Sequence, residues 1–311
     1  MMAYDFGEVL TKDFPSQVTV NITEVCNLAC IHCPHPVFKT SSHYKARFLE
    51  PELNKKLVDE CKGRTKFIRF SSEGEPLIHP NSYDMIQYSV DSGTFTTLTT
   101  NGTIMNEKRT RKLLDSGIHM IDISLDAFLP ETYAKIRVNG NLEVTRENVK
   151  RLLHWSKGTR TKVVVSFIAQ ELNKGEEIPF RRLWEDRGAV VIVRNQHSAA
   201  GSIERIAKDL RTEEPRRPCV YPWERTKLSP TGFLTFCPAD WVRGSDVIDY
   251  RVTTIEEAWN GPFYTALRKS HVTNDFSKHK FCGQCPDWKL TQWPNMGMNY
   301  AGLVKALDPS H

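Results

Sequence analysis

The stretch Val20-Asn-Ile-Thr-Glu-Val-Cys26-Asn-Leu-Ala-Cys30-Ile-His-Cys33-Pro-His-Pro36 decides how this chain is read. A β-branched run, Gln17–Thr23, leads into a loop that carries three cysteines spaced C-x3-C-x2-C. Three thiolates on one short loop can hold three irons of a 4Fe-4S cluster. No fourth cysteine lies beside them, so the last iron is left to a ligand that is not protein. The plainer alternative is structural zinc, which takes four protein ligands, commonly with C-x2-C pairing, and would need His35 as the fourth.

From Gln17 to Asn195 short β-branched runs alternate with longer helical patterns. The expected strands are Gln17–Thr23, Lys66–Ser71, Phe95–Thr100, Met120–Leu125, Lys162–Ala169 and Ala189–Arg194. Between the first two, Pro51–Cys61 repeats Leu53, Leu57 and Cys61 every four residues, one buried helical face. Six βα units predict an α/β fold, a partial (β/α)6 TIM-like barrel over residues 1–199. Ligands of such folds gather at the carboxyl ends of the strands, where the cysteine loop sits. A charged, proline-containing stretch, 200–218, reads as a linker. Beyond it, 219–289 reads as a small α+β domain, with a hairpin at Lys227–Cys237 and a helix over Thr254–His271. Residues 290–311 form a tail of weak helical character with no assigned role.

The 311 residues are a quarter charged and two fifths hydrophobic, ordinary for a globular protein. No run approaches the roughly 18 apolar residues of a membrane span. The N-terminus MMAYDFGEVLTKDFP has acidic residues and no apolar signal core, which predicts a cytoplasmic protein. Eight cysteines without a secretory signal point to metal in a reducing compartment rather than to disulfides. The formal charge of +5 comes with no nucleic-acid motif or aromatic-basic stripe, so neither DNA nor RNA is an expected partner.

At this spacing the cysteine loop resembles the radical S-adenosylmethionine (radical SAM) superfamily. There the methionyl amine and carboxylate of SAM chelate the open iron, and an electron from the cluster cleaves SAM to a 5'-deoxyadenosyl radical. The resemblance implies that His32 packs near the adenine. Glu73-Gly74-Glu75-Pro76 resembles the family's GGEP motif, with Glu73 in place of the first glycine; Gly74, Glu75 and Pro76 would receive the methionyl amine. Thr99-Thr100-Asn101-Gly102 resembles the TNG segment that borders the SAM site. Ser124 and Asp126, ending the fourth strand, would meet the SAM carboxylate and ribose hydroxyls. Simple helix capping by Thr100 and Ser124 is the ordinary alternative. Arg137, in Tyr133-Ala-Lys-Ile-Arg137, would pair with the SAM carboxylate or an anionic substrate, with a surface ion pair as its alternative.

Cys219, Cys237, Cys282 and Cys285 fall in the last third, and Cys282-Gly-Gln-Cys285 alone reads as half a zinc ribbon. Their setting resembles the SPASM and Twitch extensions of radical SAM enzymes: Pro222-Trp223, Asp240-Trp241, Trp259-Asn260-Gly261 and Arg268 with His271. With four cysteines the resemblance implies one fully ligated auxiliary 4Fe-4S cluster, the Twitch form. Five of the seven tryptophans lie here, bulky rings that exclude water from a cluster and help set its potential. Once seven cysteines act as thiolates on two cores, the net charge falls to about +2. Cys61 is left over as a small buried hydrophobe.

The resemblance covers Val18 to Trp288 and is nearest to the aminocyclitol dehydrogenases of antibiotic biosynthesis and to sugar- or nucleoside-modifying enzymes. It implies a small-molecule substrate, a carbinol oxidised with the auxiliary cluster as electron acceptor, and a flavodoxin- or ferredoxin-type electron donor. Glu73, Arg194, His197 and Asp240 are the candidate catalytic residues. Epimerisation, decarboxylation and dehydration are alternatives, as are a peptide-modifying enzyme and a non-catalytic iron-sulfur or zinc protein. Peptide-modifying relatives often carry a leader-binding domain, and the 25 residues before Cys26 favour a small molecule. Oligomeric state is left open.

Overall fold

A computed structural model describes residues 14–71, 73–293 and 300–307. Six strands follow the expected runs closely: β1 (Gln17–Val20), β2 (Phe67–Phe70), β3 (Phe95–Thr100), β4 (Met120–Ser124), β5 (Lys162–Ala169) and β6 (Val190–Asn195). They pair parallel, each with the next, and helices cover the outside, which makes the expected partial barrel. Three further strands continue the same sheet beyond β1: β7 (Arg225–Leu228), β8 (Phe233–Thr235) and β9 (Asp246–Asp249). The order is β6-β5-β4-β3-β2-β1-β7-β8-β9. The expected hairpin is the antiparallel pair β7–β8, but β7 also lies parallel to β1, Gln17 opposite Arg225. The residues of the C-terminal part are thus hydrogen-bonded to the strand that launches the cysteine loop.

Alternation along each strand sorts side chains into two environments. Val18, Val20, Ile68, Phe70, Leu98, Ile121, Ile123, Val163, Val165 and Leu228 point outward into the main core, beneath the helices. Phe67, Phe95, Met120 and Val164 point inward and form a separate apolar layer at the amino ends of the strands. The helix Tyr300–Leu307 plugs that layer with Leu303 and Val304, so part of the tail that had no sequence role closes the barrel floor. Residues 294–299 and 308–311 of the tail lie outside the described residues. Above the floor the inward positions turn polar: Arg69, Thr97, Thr99, Asp122, Ser166 and Arg194.

Pro51–Cys61 is a helix with Pro51 in its first turn, and Leu53, Leu57 and Cys61 are buried as the spacing requires. Cys61 is fully buried. The expected helix over Thr254–His271 is two, Ile255–Asn260 and Pro262–Thr273. Pro262 holds the preceding Gly261 extended, which ends the first helix while opening the second. The stretch read as a linker contains the helix Glu204–Leu210. Among the described residues no helix is long and apolar enough to cross a membrane.

Candidate radical site and auxiliary cluster site

The cysteine loop is held from three sides by backbone. After β1 the chain runs on beside the motif that follows β2: the N–H of Gly74 donates to Thr23 C=O at 3.0 Å and that of Glu75 to Val25 C=O at 2.8 Å. Gly74 must be glycine, because a Cβ there would stand 2.0 Å from the Val25 carbonyl oxygen. On the far side of the loop, Ala29 N–H donates to Val138 C=O and Ile31 N–H to Ile136 C=O, both at 3.0 Å. After β3, Asn101 Nδ2 donates to Asn27 Oδ1 at 2.9 Å, and Asn27 Nδ2 donates to Thr103 Oγ1 at 2.8 Å. Gly102 takes φ +71° there, and a Cβ would strike Ile123.

The motif residues found in sequence converge on this loop. Glu75 is buried; its carboxylate accepts from Thr100 Oγ1 at 2.5 Å and from the N–H of Asn101 at 2.7 Å. Burial raises its pKa and these donors offset part of the rise. Pro76 opens the short turn Pro76–Ile78 behind it. Ser124 is half-buried at the end of β4. Asp126 is fully buried in a left-handed conformation (φ +65°) and its carboxylate is already well partnered. Arg137 donates to it through Nε at 2.9 Å and also through Nη2; Ile168 N–H donates at 2.7 Å. His32 Nε2 lies 3.5 Å from the same carboxylate, and burial pulls the imidazole down to about pKa 4, so it is neutral at physiological pH. Arg137 Nη1 reaches Cys30 Sγ at 3.8 Å. Arg137 is therefore a buried link between a cluster cysteine and Asp126, rather than a surface ion pair.

In the C-terminal part Cys219, Cys237, Cys282 and Cys285 line one cavity together with Arg216 and His271. His271 is buried; its Nδ1 accepts from Cys219 N–H at 3.3 Å, which leaves the proton of the neutral ring on Nε2. Among the described residues that Nε2 has no hydrogen-bond partner. Arg268, fully buried, ties the carbonyls of Pro222 and Trp259 at 2.8 and 2.9 Å and so braces the wall behind it. Trp223 and Trp293 pack with tilted rings, centres 5.5 Å apart, beside it.

Residues 20–165 match the radical SAM superfamily, and residues 219–286 match SPASM, an iron-sulfur cluster-binding domain. This chain joins a radical SAM domain to a SPASM domain. Its relatives include a probable GTP 3',8-cyclase of Methanococcus maripaludis, 31% identical over 153 residues, 49% of this chain and 49% of that protein. The match thus spans about half the length of that relative. Among solved structures, BtrN in complex with AdoMet and 2-DOIA superposes with TM-score 0.60 at 17% identity, covering 88% of this chain and 94% of that one. Streptococcus suis SuiB bound to its precursor peptide SuiA gives TM-score 0.65 at 14% identity, covering 95% and 74%. At these identities the structures share the fold.

The thiols suit the cofactors that the two domains bring, SAM with a 4Fe-4S cluster at the radical SAM loop and an auxiliary iron-sulfur cluster in the SPASM domain. Burial pushes Cys26 up to about 11 and Cys33 and Cys285 up to about 12, and raises Cys30, Cys219, Cys237 and Cys282 as well. Seven desolvated thiols become thiolates when cationic iron is present, and cluster assembly releases their protons. The four SPASM thiols surround a cavity, and among the described residues no three His, Cys, Asp or Glu side chains converge on a point that one metal ion would fill. His35 Nε2 donates to the Glu24 carbonyl oxygen at 2.8 Å, a structural partner on the loop's inner side.

The candidate catalytic residues take other tasks. Glu73 is buried in an ion cluster: it receives Lys227 Nζ at 3.0 Å and Arg243 through Nη1 at 3.1 Å and Nη2 at 2.7 Å. Its departure from GGEP is thereby explained, since Lys227 and Arg243 come from the SPASM part. Asp240 accepts from the N–H groups of Val242 and Ser245 and so folds its own loop. Arg194 pairs with Asp122 Oδ2 at 2.9 Å and with Ser166 Oγ at 2.5 Å, and as a guanidinium it cannot take up a proton. His197 is exposed at the barrel mouth, its Nδ1 near Ala199 N–H at 3.3 Å.

Sequence reasoning missed Glu24, Arg243, Lys227, Asp122 and Arg69. The last two carried a signal, each a lone charge in an otherwise apolar strand, Phe-Ile-Arg69-Phe and Met-Ile-Asp122-Ile. Asp287 was missed as well. Two residues after Cys285, its carboxylate takes Ser198 N–H, Ser198 Oγ and Ala200 N–H, each at 2.7 Å, and so fastens the auxiliary site to the loop after β6.

Proposed function

We propose that this radical SAM enzyme oxidises a carbinol of a small carbohydrate-, cyclitol- or nucleoside-type molecule, with the auxiliary cluster as electron acceptor. The observation that carries the reading is the clasp of Asp287 on Ser198 and Ala200, which holds the cavity lined by four cysteines against the barrel mouth. When bound, SAM and the reduced first cluster supply a 5'-deoxyadenosyl radical. Oxidation of the carbinol would remove one hydrogen atom from its carbon, one proton from its hydroxyl and one electron, for which the auxiliary site would hold the acceptor. The chain's own part is placement and exclusion of water: Gly74, Glu75 and Asn101 fix the loop, Arg137 and Asp126 brace its far side, and the helix Tyr300–Leu307 seals the floor.

The GTP cyclase relative and the BtrN fold support a small-molecule substrate. A peptide substrate is the second reading, favoured by the fold match to SuiB, solved with its precursor peptide. We further infer a flavodoxin- or ferredoxin-type donor and a reducing, cytoplasmic setting, which keeps seven thiols available to iron. Deuterium transfer into 5'-deoxyadenosine separates the readings. Transfer from a carbinol-labelled sugar, cyclitol or nucleoside supports ours, and transfer from peptides alone overturns it.

A further inference from the structure

The polar layer in the barrel interior has a charge imbalance. Arg194 from β6 is matched by Asp122 from β4, with Ser166 of β5 completing the triangle. Arg69 from β2 has no such match. Its Nε and Nη2 both donate to one hydroxyl, Thr99 Oγ1, at 3.2 and 3.0 Å, and among the described residues no carboxylate pairs with it. Its guanidinium carbon lies 3.8 Å from the Tyr300 ring centre, and that of Arg194 lies 6.0 Å from the same centre. Tyr300 Oη in turn reaches Thr97 Oγ1 at 3.3 Å. Two guanidiniums therefore lie near one aromatic ring above the floor, and the carboxylate of Asp122 pairs with Arg194. Both side chains keep part of their surface open, Arg194 at 30%.

We propose that Arg69 and Arg194 form an anion site inside the barrel, and that the substrate presents a carboxylate or a phosphate to it. This rests on the reading that a small molecule enters the barrel. A guanidinium held within a barrel is costly without an anion, and its planar fork matches both groups. Thr99 and the Tyr300 face fix the plane of Arg69 while leaving Nη1 for the ligand. Asp122 and Ser166 hold Arg194 in the same way. The substrate class is accordingly an acidic one, a phosphorylated or carboxylated small molecule, and a cationic amine would be repelled from the floor.

The test uses the reconstituted full chain with SAM and reads binding rather than turnover. Inorganic phosphate and acetate are titrated calorimetrically into the wild type and Arg69→Met, with neutral myo-inositol as the uncharged probe. Binding of phosphate or acetate that weakens tenfold or more in Arg69→Met supports the site. Phosphate alone identifies a phosphorylated substrate, acetate alone a carboxylated one. Equal binding to both proteins, or none to either, overturns it. Should Arg69→Met not fold, phenylglyoxal modification of the wild type gives the same answer: phosphate or acetate slows labelling of Arg69, and unchanged labelling contradicts the site. Deuterium transfer from peptides alone would remove the small-molecule reading and leave this binding result standing on its own.

Discussion

Arg243 Nη2 stands 2.7 Å from Glu73 Oε2 and 2.6 Å from Glu24 Oε1, so one guanidinium of the SPASM part bridges the acidic residues just before the cysteines and just before Gly74-Glu75. Arg47 Nη1 donates to the same Glu24 Oε1 at 2.8 Å, and Trp241, two residues before Arg243, lies edge-on to Phe38 at 5.6 Å. The radical loop and the auxiliary domain are thereby locked together by charge and by an aromatic contact. Glu73→Gln takes the carboxylate from Lys227 and leaves Arg243 with Glu24 and Asp246, and breaking a buried pair from one side costs about 3 kcal/mol. Urea unfolding of the reconstituted chain should show that loss while SAM cleavage per folded molecule persists. Undiminished stability with cleavage abolished would make Glu73 a chemical residue instead.

Gly74→Ala drives a methyl group into the Val25 carbonyl and separates the Gly74–Glu75 segment from the strand that enters the cysteine loop. The expected outcome is loss of SAM binding by the reconstituted protein, with the auxiliary cluster's absorbance retained. Normal SAM affinity in this variant would show that the pairing does not position the site.

His271 offers its Nε2 proton into the cavity lined by the auxiliary cysteines. A hydrogen bond to cluster sulfur stabilises the reduced state, so His271→Phe should lower the auxiliary potential and His271→Gln should restore most of it. An EPR-monitored redox titration reads the shift, and equal potentials in all three proteins would assign His271 to packing alone.

How much of this was legible in sequence follows from how local each signal is. Phe95–Thr100, Lys162–Ala169 and Pro51–Cys61 form as read, because β-branched runs and a four-residue apolar repeat are properties of neighbouring residues. The cysteine spacing and the Gly-Glu-Pro and Thr-Asn-Gly segments were legible for the same reason. The pairing of Glu73 with Arg243 spans 170 residues and leaves no local trace, so Glu73 looked like a spare carboxylate at a strand end. The parallel match of β7 to β1 is equally non-local. The floor helix at Tyr300 is recognisable only once the inward phenylalanines of β2 and β3 are seen to need a cover.

His79 gives a pH signature away from either cluster site. It is buried, its Nε2 on the Leu49 carbonyl at 2.9 Å and its Nδ1 accepting Asn81 N–H at 3.0 Å, and burial lowers its pKa. A histidine depressed in the folded state keeps its full contribution above the unfolded value, about 6.5, and loses it as pH falls below that value, where the unfolded chain binds the extra proton. Stability to urea should decline from pH 7 to pH 5, and less steeply in His79→Gln. The same slope in both proteins would remove His79 from the account.

Two clusters on one chain, the first open to SAM and the second closed by four cysteines, are read by iron per chain after anaerobic reconstitution. About eight irons are expected, falling to about four when Cys26, Cys30 and Cys33 are replaced by alanine, the remainder lost when Cys219, Cys237, Cys282 and Cys285 are replaced as well. Zinc in place of iron at the second site, or a first-site triple variant that keeps all its iron, would contradict it.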